Sequence, residues 1–405
     1  MMQSAPLSRA EPTAECASPQ PARVINILYI IDVWRSPGGT ERHLYYLLSH
    51  LDPERFRCNV IVFDYAPNAL IDRARERGVP VLHLPVAQYY TPNAFAKARI
   101  LREYIRQHRI DLVQTFHYKA DVYGSVVARL AGVRHIVSSK RDAADYKNGF
   151  HFFLHKLVRP IVERYIAVSD VVADVIEKKE GVRRDKIQVI HNGVDLANYA
   201  VPDSASKARA RVRLNLGPDD FVIGMSAWFR AEKDHRMLID AFLQVREKVP
   251  SAKLLLVGHG PLFDEFQAWV RERDLEASIK LVGAVDDVRE YLAALDVACL
   301  VPKINEGFSN SVLEKMATGL PLIVTDVGGN REAVVDGQTG FVIQPGDRMR
   351  LVELILRLYF DPALRQRLGA AARVRVQNLF SLEAMIARHA ALYESLIAND
   401  RRNTH

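Results

Sequence analysis

Cysteine is scarce in this chain: three residues, Cys16, Cys58 and Cys299, stand far apart among 405, with no C-x-x-C pair. That excludes a disulfide framework and any thiolate metal cluster, and fits a reducing cytosol. Long apolar runs are lacking as well; none approaches the roughly 18–20 residues needed to span a bilayer. The opening stretch, MMQSAPLSRAEPTAECASPQPAR, is rich in Ala, Pro and Ser but has no apolar core. It reads as a disordered tail over residues 1–22 rather than as a signal peptide. An acidic excess is also missing, since 55 Lys and Arg face 48 Asp and Glu for a net charge of +7. The first 200 residues hold 28 basic against 21 acidic side chains, and the remainder 27 against 27, so the first half carries the whole excess. A basic lobe of this kind suits an anionic acceptor or the anionic inner face of a membrane, and nucleic acid is not expected.

What is present is alternation. VINILYIID, CNVIVFDY, VPVLHLP, IDLVQTF and RHIVSSK are short apolar runs of the kind buried on both faces of a parallel sheet. Helical patterns such as ERHLYYLLSHL, with Thr40 as a candidate cap, and AFAKARILREYIRQH separate them. ERYIAVSD and KIQVIHNGVD read as two further strand-and-loop units. After the polar stretch LANYAVPDSASKARARVRLNLGPDD a second βα series opens with FVIGMSAW and runs through AKLLLVG, IKLVG and PLIVTDV. Two such series in a chain of this length predict two doubly wound α/β domains. The expected division is 23–200 for the first, 201–378 for the second and 379–405 for a last helix crossing back to the first.

The segment NEGFSNSVLEKMATGLPLIVTDVGG is the most informative. Glu306 and Gly307 sit in a loop, Ser309, Asn310 and Ser311 follow, and Glu314 falls on the first turns of a helix. A helix N-terminus presents unpaired N–H groups and partial positive charge, a natural seat for a diphosphate. Carboxylates on either side would meet sugar hydroxyls instead. A diphosphate flanked by two sugars is a nucleotide sugar. Ser311-x-x-Glu314 also matches a capping box, which offers Glu314 a purely structural job; it leaves Glu306 unexplained.

Taken with GGTERHLYYLL, VSD at 168–170, HNGVD at 191–195 and FRAEKDH, this run resembles the retaining GT-B glycosyltransferases, specifically glycosyltransferase family 4. The resemblance spans roughly residues 24–397. It implies two Rossmann-like domains facing a cleft, a nucleotide-sugar donor on the second, an acceptor on the first, and transfer with retention, without a cofactor or protein-bound metal. It places Gly38 and Gly39 near the donor diphosphate and Arg230 and Lys233 beside the leaving group. Glu306 falls against the donor sugar, and Glu314 against the ribose. Backbone around Phe308, Ser309 and Asn310 would touch the diphosphate, and the base would lie near Val285 and Asp286. His117 is the candidate histidine at the sugar's reacting end. Lys119, Lys140 and Arg141 are the acceptor candidates, while His191 and Asn192 shape a turn. UDP-sugars come first as donors, and lipid-linked or saccharide acceptors of cell-surface polysaccharide or glycolipid synthesis as partners.

Three rivals stay open. GHGPLF begins like a dinucleotide fingerprint but has Phe263 at its third glycine position. A nucleotide-sugar epimerase shares the fold, and a nucleotide-sugar-binding protein without activity would share the site.

Overall fold

A computed structural model of the chain describes residues 23–35, 38–88, 91–142 and 149–402. The tail expected over 1–22 lies outside them. The first domain is a seven-stranded sheet: β1 (Ile25–Trp34), β2 (Phe56–Tyr65), β3 (Val81–His83), β4 (Leu112–Phe116), β5 (His135–Lys140), β6 (Arg164–Ala167) and β7 (Ile187–Val189). The second has six strands: β8 (Phe221–Ser226), β9 (Ala252–Val257), β10 (Ile279–Val282), β11 (Val297–Leu300), β12 (Leu322–Thr325) and β13 (Phe341–Ile343). The spatial orders are β3-β2-β1-β4-β5-β6-β7 and β10-β9-β8-β11-β12-β13. All neighbours pair in parallel. Helices cover both faces, which is why Ile27, Leu28, Tyr29, Ile30 and Ile31 of β1 are all fully buried despite pointing to alternate sides.

The chain crosses between domains twice. The first crossing follows β7; the helix Ser204–Arg213 already belongs to the second domain, where Lys207 and Arg211 pair with Asp296. The second lies at Phe380–Ser381, and Gly193 marks where the two crossings touch. A Cβ there would stand 2.7 Å from both the Ser381 carbonyl and the Leu382 Cα. The helix Leu382–Arg402 then packs on the first domain through Leu382, Met385, Ile386, Leu392, Tyr393 and Leu396. Tyr393 Oη donates to Gln114 Oε1 at 2.7 Å, tying this last helix to β4.

Some local expectations change. The helix expected after Thr40 starts at Gly39 with Gly38 as its N-cap, so Thr40 lies inside it and caps nothing. Between the two units read as strand and loop lies the helix Asp170–Glu180, capped by Ser169, whose Oγ accepts from Val172 N. Gly132 closes the helix Ser125–Ala131 in the left-handed conformation, as its position suggested.

The last helix also brings His389 against His43, with ring centroids 5.1 Å apart and both side chains buried. Burial pushes His389 down to about 4, and His43 well below its ordinary value. A folded pKa below the unfolded value of 6.5 favours the neutral imidazole in the native state. The associated stability is complete above that value and lost as pH falls toward about 4. At about 1.4 kcal/mol per pH unit the His389 share is about 3 kcal/mol. The denaturant midpoint is therefore expected to fall over that acid window, and His389→Leu to flatten the decline.

Candidate active site at the paired switch points

Strand order reverses between β1 and β4 in the first sheet and between β8 and β11 in the second. In doubly wound sheets the crevice outside such a reversal, at the strands' carboxyl ends, is where ligands sit. The residues singled out in the sequence follow these strands. Gly38 and Gly39 come after β1, His117 after β4, Arg230 and Lys233 after β8, and Glu306 and Gly307 after β11. Three of these loops hold a non-glycine residue at positive φ: His117 at 70°, Asp234 at 51° and Asn305 at 60°. Such conformations cost energy and persist where the surrounding structure enforces them, commonly around sites.

On the second domain, Lys233 Nζ donates to Glu306 Oε2 at 2.6 Å, so two residues 73 positions apart in sequence meet. The loops carrying them are tied together, since Lys303 N donates to the Glu232 carbonyl at 2.7 Å. Lys303 Nζ also pairs with Asp234 at 3.1 Å, while Asp234 caps the helix His235–Lys248. Arg230 is not brought to this pair. Its exposed guanidinium lies 5.4 Å from the Trp228 ring centroid and hydrogen-bonds neither Lys233 nor Glu306. Val285 sits beyond the carboxyl end of the edge strand β10, half-buried against the core, with Asp286 exposed beside it.

The helix Asn310–Ala317 starts after Ser309, which occupies the N-cap position but makes no side-chain cap hydrogen bond. Its first N–H groups thus lack the side-chain partner that most helices provide. The capping-box reading of Ser311 and Glu314 is corrected here. Ser311 lies inside the first turn and donates its hydroxyl proton to the Ser226 carbonyl at 2.8 Å. Glu314 does not reach back to the cap. Its carboxylate crosses the cleft to Arg42 Nη1 at 3.3 Å and also meets the Tyr199 hydroxyl. Burial raises the Glu314 pKa, opposed first by Arg42 and then by Lys315.

Gly307 also has a different task from the one its place beside Glu306 suggested. A Cβ there would come within 2.1 Å of the Arg141 carbonyl and 3.2 Å of Val168 Cγ1, so the missing side chain lets the domains approach. The same seam holds Asn192, whose Nδ2 donates to the Phe308 carbonyl at 2.8 Å. Phe308 itself is buried, its ring against His191 and Phe380. Glu332 closes the seam, accepting from Asp170 N at 2.9 Å and Val171 N at 3.2 Å and meeting His191 Nε2 at 2.8 Å. Gly39 faces the start of the helix Asn310–Ala317 directly: a Cβ there would stand 3.6 Å from Asn310 Nδ2.

On the first domain, the turn at His117 sends the N–H of Lys119 to Asp32 Oδ2 at 2.6 Å and that of Ala120 to Oδ1. Burial lowers the His117 pKa. The imidazole shares a recess with Tyr118, Ser139, Arg141 and Asp142. Arg141 donates one Nη2 proton to Asn192 Oδ1, and its Nε and Nη1 are buried without partners among the described residues. Burial pushes this guanidinium down to about 9, with Glu41 and Asp142 opposing. Lys140, expected at the acceptor, is instead buried between Asp121 at 2.6 Å and Glu180 at 3.4 Å. Two carboxylates already neutralise it, so it serves the interior of the domain. The Lys119 side chain is half-buried.

Sequence reasoning missed Arg42, Tyr199, Ser226, Lys315 and Glu332. Only Lys315 left a signal, as a cation on the inward face of VLEKMA. Arg42, Tyr199 and Glu332 meet the site through the domain interface, and Ser226 through the packing of β8 against the helix Asn310–Ala317, which no local pattern reports. The dinucleotide reading loses its footing, because GHG follows β9, the second strand of its domain, where the fingerprint belongs after the first. Gly258 and Gly260 serve packing there: a Cβ on Gly258 would stand 2.1 Å from the Ala227 carbonyl, and one on Gly260 2.8 Å from that of Phe229.

Residues 37–198 match the model for Glycosyltransferase Family 4, and residues 206–375 that for Glycosyl transferases group 1. The chain is thus assembled from the two domains of a GT-B glycosyltransferase. It is 26% identical over 365 residues to a UDP-Gal:alpha-D-GlcNAc-diphosphoundecaprenol alpha-1,3-galactosyltransferase of Escherichia coli, covering 86% of this chain and 92% of that protein. It is 27% identical over 317 residues to an N-acetyl-alpha-D-glucosaminyl L-malate synthase of Bacillus anthracis, covering 77% and 82%. The crystal structure of Anabaena HepE in complex with UDP superimposes with a TM-score of 0.81 at 22% identity, over 92% of this chain and all of that one, and shares the fold.

Proposed function

We propose that this protein is a retaining glycosyltransferase. It moves a sugar from a nucleoside diphosphate donor, a UDP-sugar first, to a lipid-linked or saccharide acceptor in cell-surface polysaccharide or glycolipid synthesis. The observation that carries this reading is the Lys233–Glu306 pair set beside an uncapped helix N-terminus at the β8/β11 reversal. The donor diphosphate sits on the N–H groups around Ser309 and Asn310, with Gly39 opposite and the ribose at Glu314. Holding the ribose there requires Arg42 to release that carboxylate. As the sugar–phosphate bond breaks, charge grows on the diphosphate, and Lys233 and the helix terminus stabilise it. Arg230, exposed on a flexible side chain, turns from Trp228 to the same phosphates. The departing oxygen takes the acceptor's proton on the face it leaves, so Glu306 orients sugar and ammonium without acting as base. No step requires a protein-bound metal. His117 is held neutral by burial and faces the transferred sugar. Product linkage analysis by NMR tests this: retained anomeric configuration is expected, and inversion contradicts it. Conversion of the donor to an isomer without acceptor would identify an epimerase instead.

The acceptor side is read from Arg141, whose Nε and Nη1 nitrogens, unpartnered among the described residues, suit a phosphate or carboxylate on the acceptor. The named relatives support an anionic acceptor, since their acceptors are a lipid diphosphate and malate.

Among the described residues no helix is long and apolar enough to cross a membrane. Contact with a bilayer would be peripheral, on the cytoplasmic face. Three helices of the first domain suit it: Pro92–Gln107 packs against Ser125–Ala131, and Gly149–Val158 packs against the turn Ala120–Gly124 that leads into the latter. They expose Phe95, Leu130, Phe150, Phe153 and Leu157 at 54–74%. Arg99, Arg102, Arg106, Arg129 and Lys156 are exposed on the same helices, so the excess charge of the first half is concentrated here. Binding to phosphatidylglycerol vesicles is expected to weaken with rising salt, and Phe150→Ser combined with Phe153→Ser to abolish it. Salt-independent binding, or none by the unaltered protein, would contradict this.

A further inference from the structure

The charges of the donor site do not all cancel. Lys233 is paired with Glu306, and Glu314 with Arg42. Lys315 is left over. It is fully buried in the helix Asn310–Ala317 and ion-pairs with no carboxylate among the described residues. Glu314 and Glu306 act on it only at Coulomb range, joined by Cys299 from β11 and by Lys233, which repels it. Its protons go to neutral oxygens: Ser226 Oγ at 2.8 Å, the Ser311 carbonyl at 3.3 Å, and Ser311 Oγ. A buried ammonium without a counterion is costly. Burial accordingly pushes the ammonium down to about 8.

The protons of this cluster can be followed one by one. Lys315 donates to both hydroxyl oxygens, so neither hydroxyl can point its proton at the lysine. The Ser311 hydroxyl proton goes to the Ser226 carbonyl. Among the described residues the Ser226 hydroxyl proton then has one acceptor, Ser311 Oγ at 2.9 Å, which it shares with the lysine. Ser226 ends β8, the strand at the sheet reversal, and is half-buried toward the cleft. Its hydroxyl is the one donor of the cluster that an incoming ligand can capture.

We infer that Lys315 is a positioning residue for the donor diphosphate. It locks the Ser226 and Ser311 oxygens so that the Ser226 hydroxyl is free to donate to a phosphate oxygen, and the bound diphosphate supplies the countercharge that the buried ammonium lacks. This rests on the proposed donor site and adds to it a polar floor beneath the helix terminus. Lys315 does not touch the substrate; it acts through the two serines and through its field.

The test compares binding of UDP, GDP and ADP with binding of the matching nucleosides, in the unaltered protein and in Lys315→Met and Ser226→Ala, by calorimetry and ligand-detected NMR. For the diphosphate that the unaltered protein holds best, Lys315→Met is expected to weaken binding about tenfold and Ser226→Ala about threefold. Nucleoside affinity should stay within about twofold in both, because no phosphate is present to report the change. The melting temperature of free Lys315→Met should not fall, since a buried charge has been removed. Unchanged diphosphate affinity in both variants overturns the inference alone, as does equal weakening for diphosphate and nucleoside. If Lys315→Met does not fold, Ser226→Ala decides by the same comparison. An unaltered protein that binds none of the three diphosphates overturns the proposed function and this inference together.

Discussion

Glu306→Gln is expected to lower turnover about 100-fold while leaving the melting temperature nearly unchanged. Glutamine keeps the size and one acceptor oxygen but loses the charge that fixes the Lys233 ammonium at 2.6 Å. The ammonium would then sample positions away from the phosphates, and a misplacement of that order costs about two decades in rate. Folding should suffer little. The Lys233 side chain keeps 22% exposure, so water can solvate it once its partner is neutral. Turnover per folded molecule and thermal unfolding separate the two effects. Normal turnover in a destabilised protein would reduce the pair to a structural salt bridge.

Lys233→Met should cost more, about 1000-fold in kcat/KM, because it removes the cation itself rather than its anchor. Product inhibition by UDP should weaken in parallel, since the leaving diphosphate and the free product use the same contact. The two substitutions should not add. With the lysine gone, Glu306 keeps only its contact to the sugar, so the double variant is expected to lose less than the sum of the two single effects. Full additivity would mean that the residues act separately, Glu306 on the sugar and Lys233 on the diphosphate. Measuring kcat/KM for all four proteins in one donor and acceptor assay settles which holds.

The legibility of this chain followed the range of the interactions. The strands were plain because parallel strands covered on both faces must be continuous apolar runs, as VINILYIID and AKLLLVG are. The pairing of Lys233 with Glu306 was not read from the sequence: the resemblance set the lysine at the leaving group and the glutamate at the sugar, and nothing local in FRAEKDH or NEGF requires the two to meet. The capping box failed for a specific reason. The helix begins at Asn310, two residues too early for Ser311 to cap it, and the two serines of the cluster answer to Lys315 instead. Gly307 was placed among the donor-binding residues from the resemblance alone, and its contact with the Arg141 carbonyl of the other domain had no sign in the sequence. Arg42, Glu332 and Tyr199 were invisible for the same reason: each acts across the domain interface. Lys140 misled because a basic residue after a strand looks the same in sequence whether it faces a cleft or a buried Asp121 and Glu180.

The charge asymmetry was informative in a different way. It could be counted in the sequence, but whether it was spread or concentrated could not. The structure gathers exposed arginines with exposed Phe150, Phe153 and Leu157 on adjoining helices, which turns a net count into a surface of definite composition.

If a nucleoside diphosphate lies outside the β8/β11 reversal, a crystal structure grown with UDP will show it there. The diphosphate is expected on the N–H groups of the helix Asn310–Ala317, Lys233 Nζ against a phosphate oxygen, and the ribose hydroxyls on Glu314 with Arg42 displaced. A nucleotide bound elsewhere, or one seated there with the Arg42–Glu314 pair intact and Lys233 turned away, would contradict it.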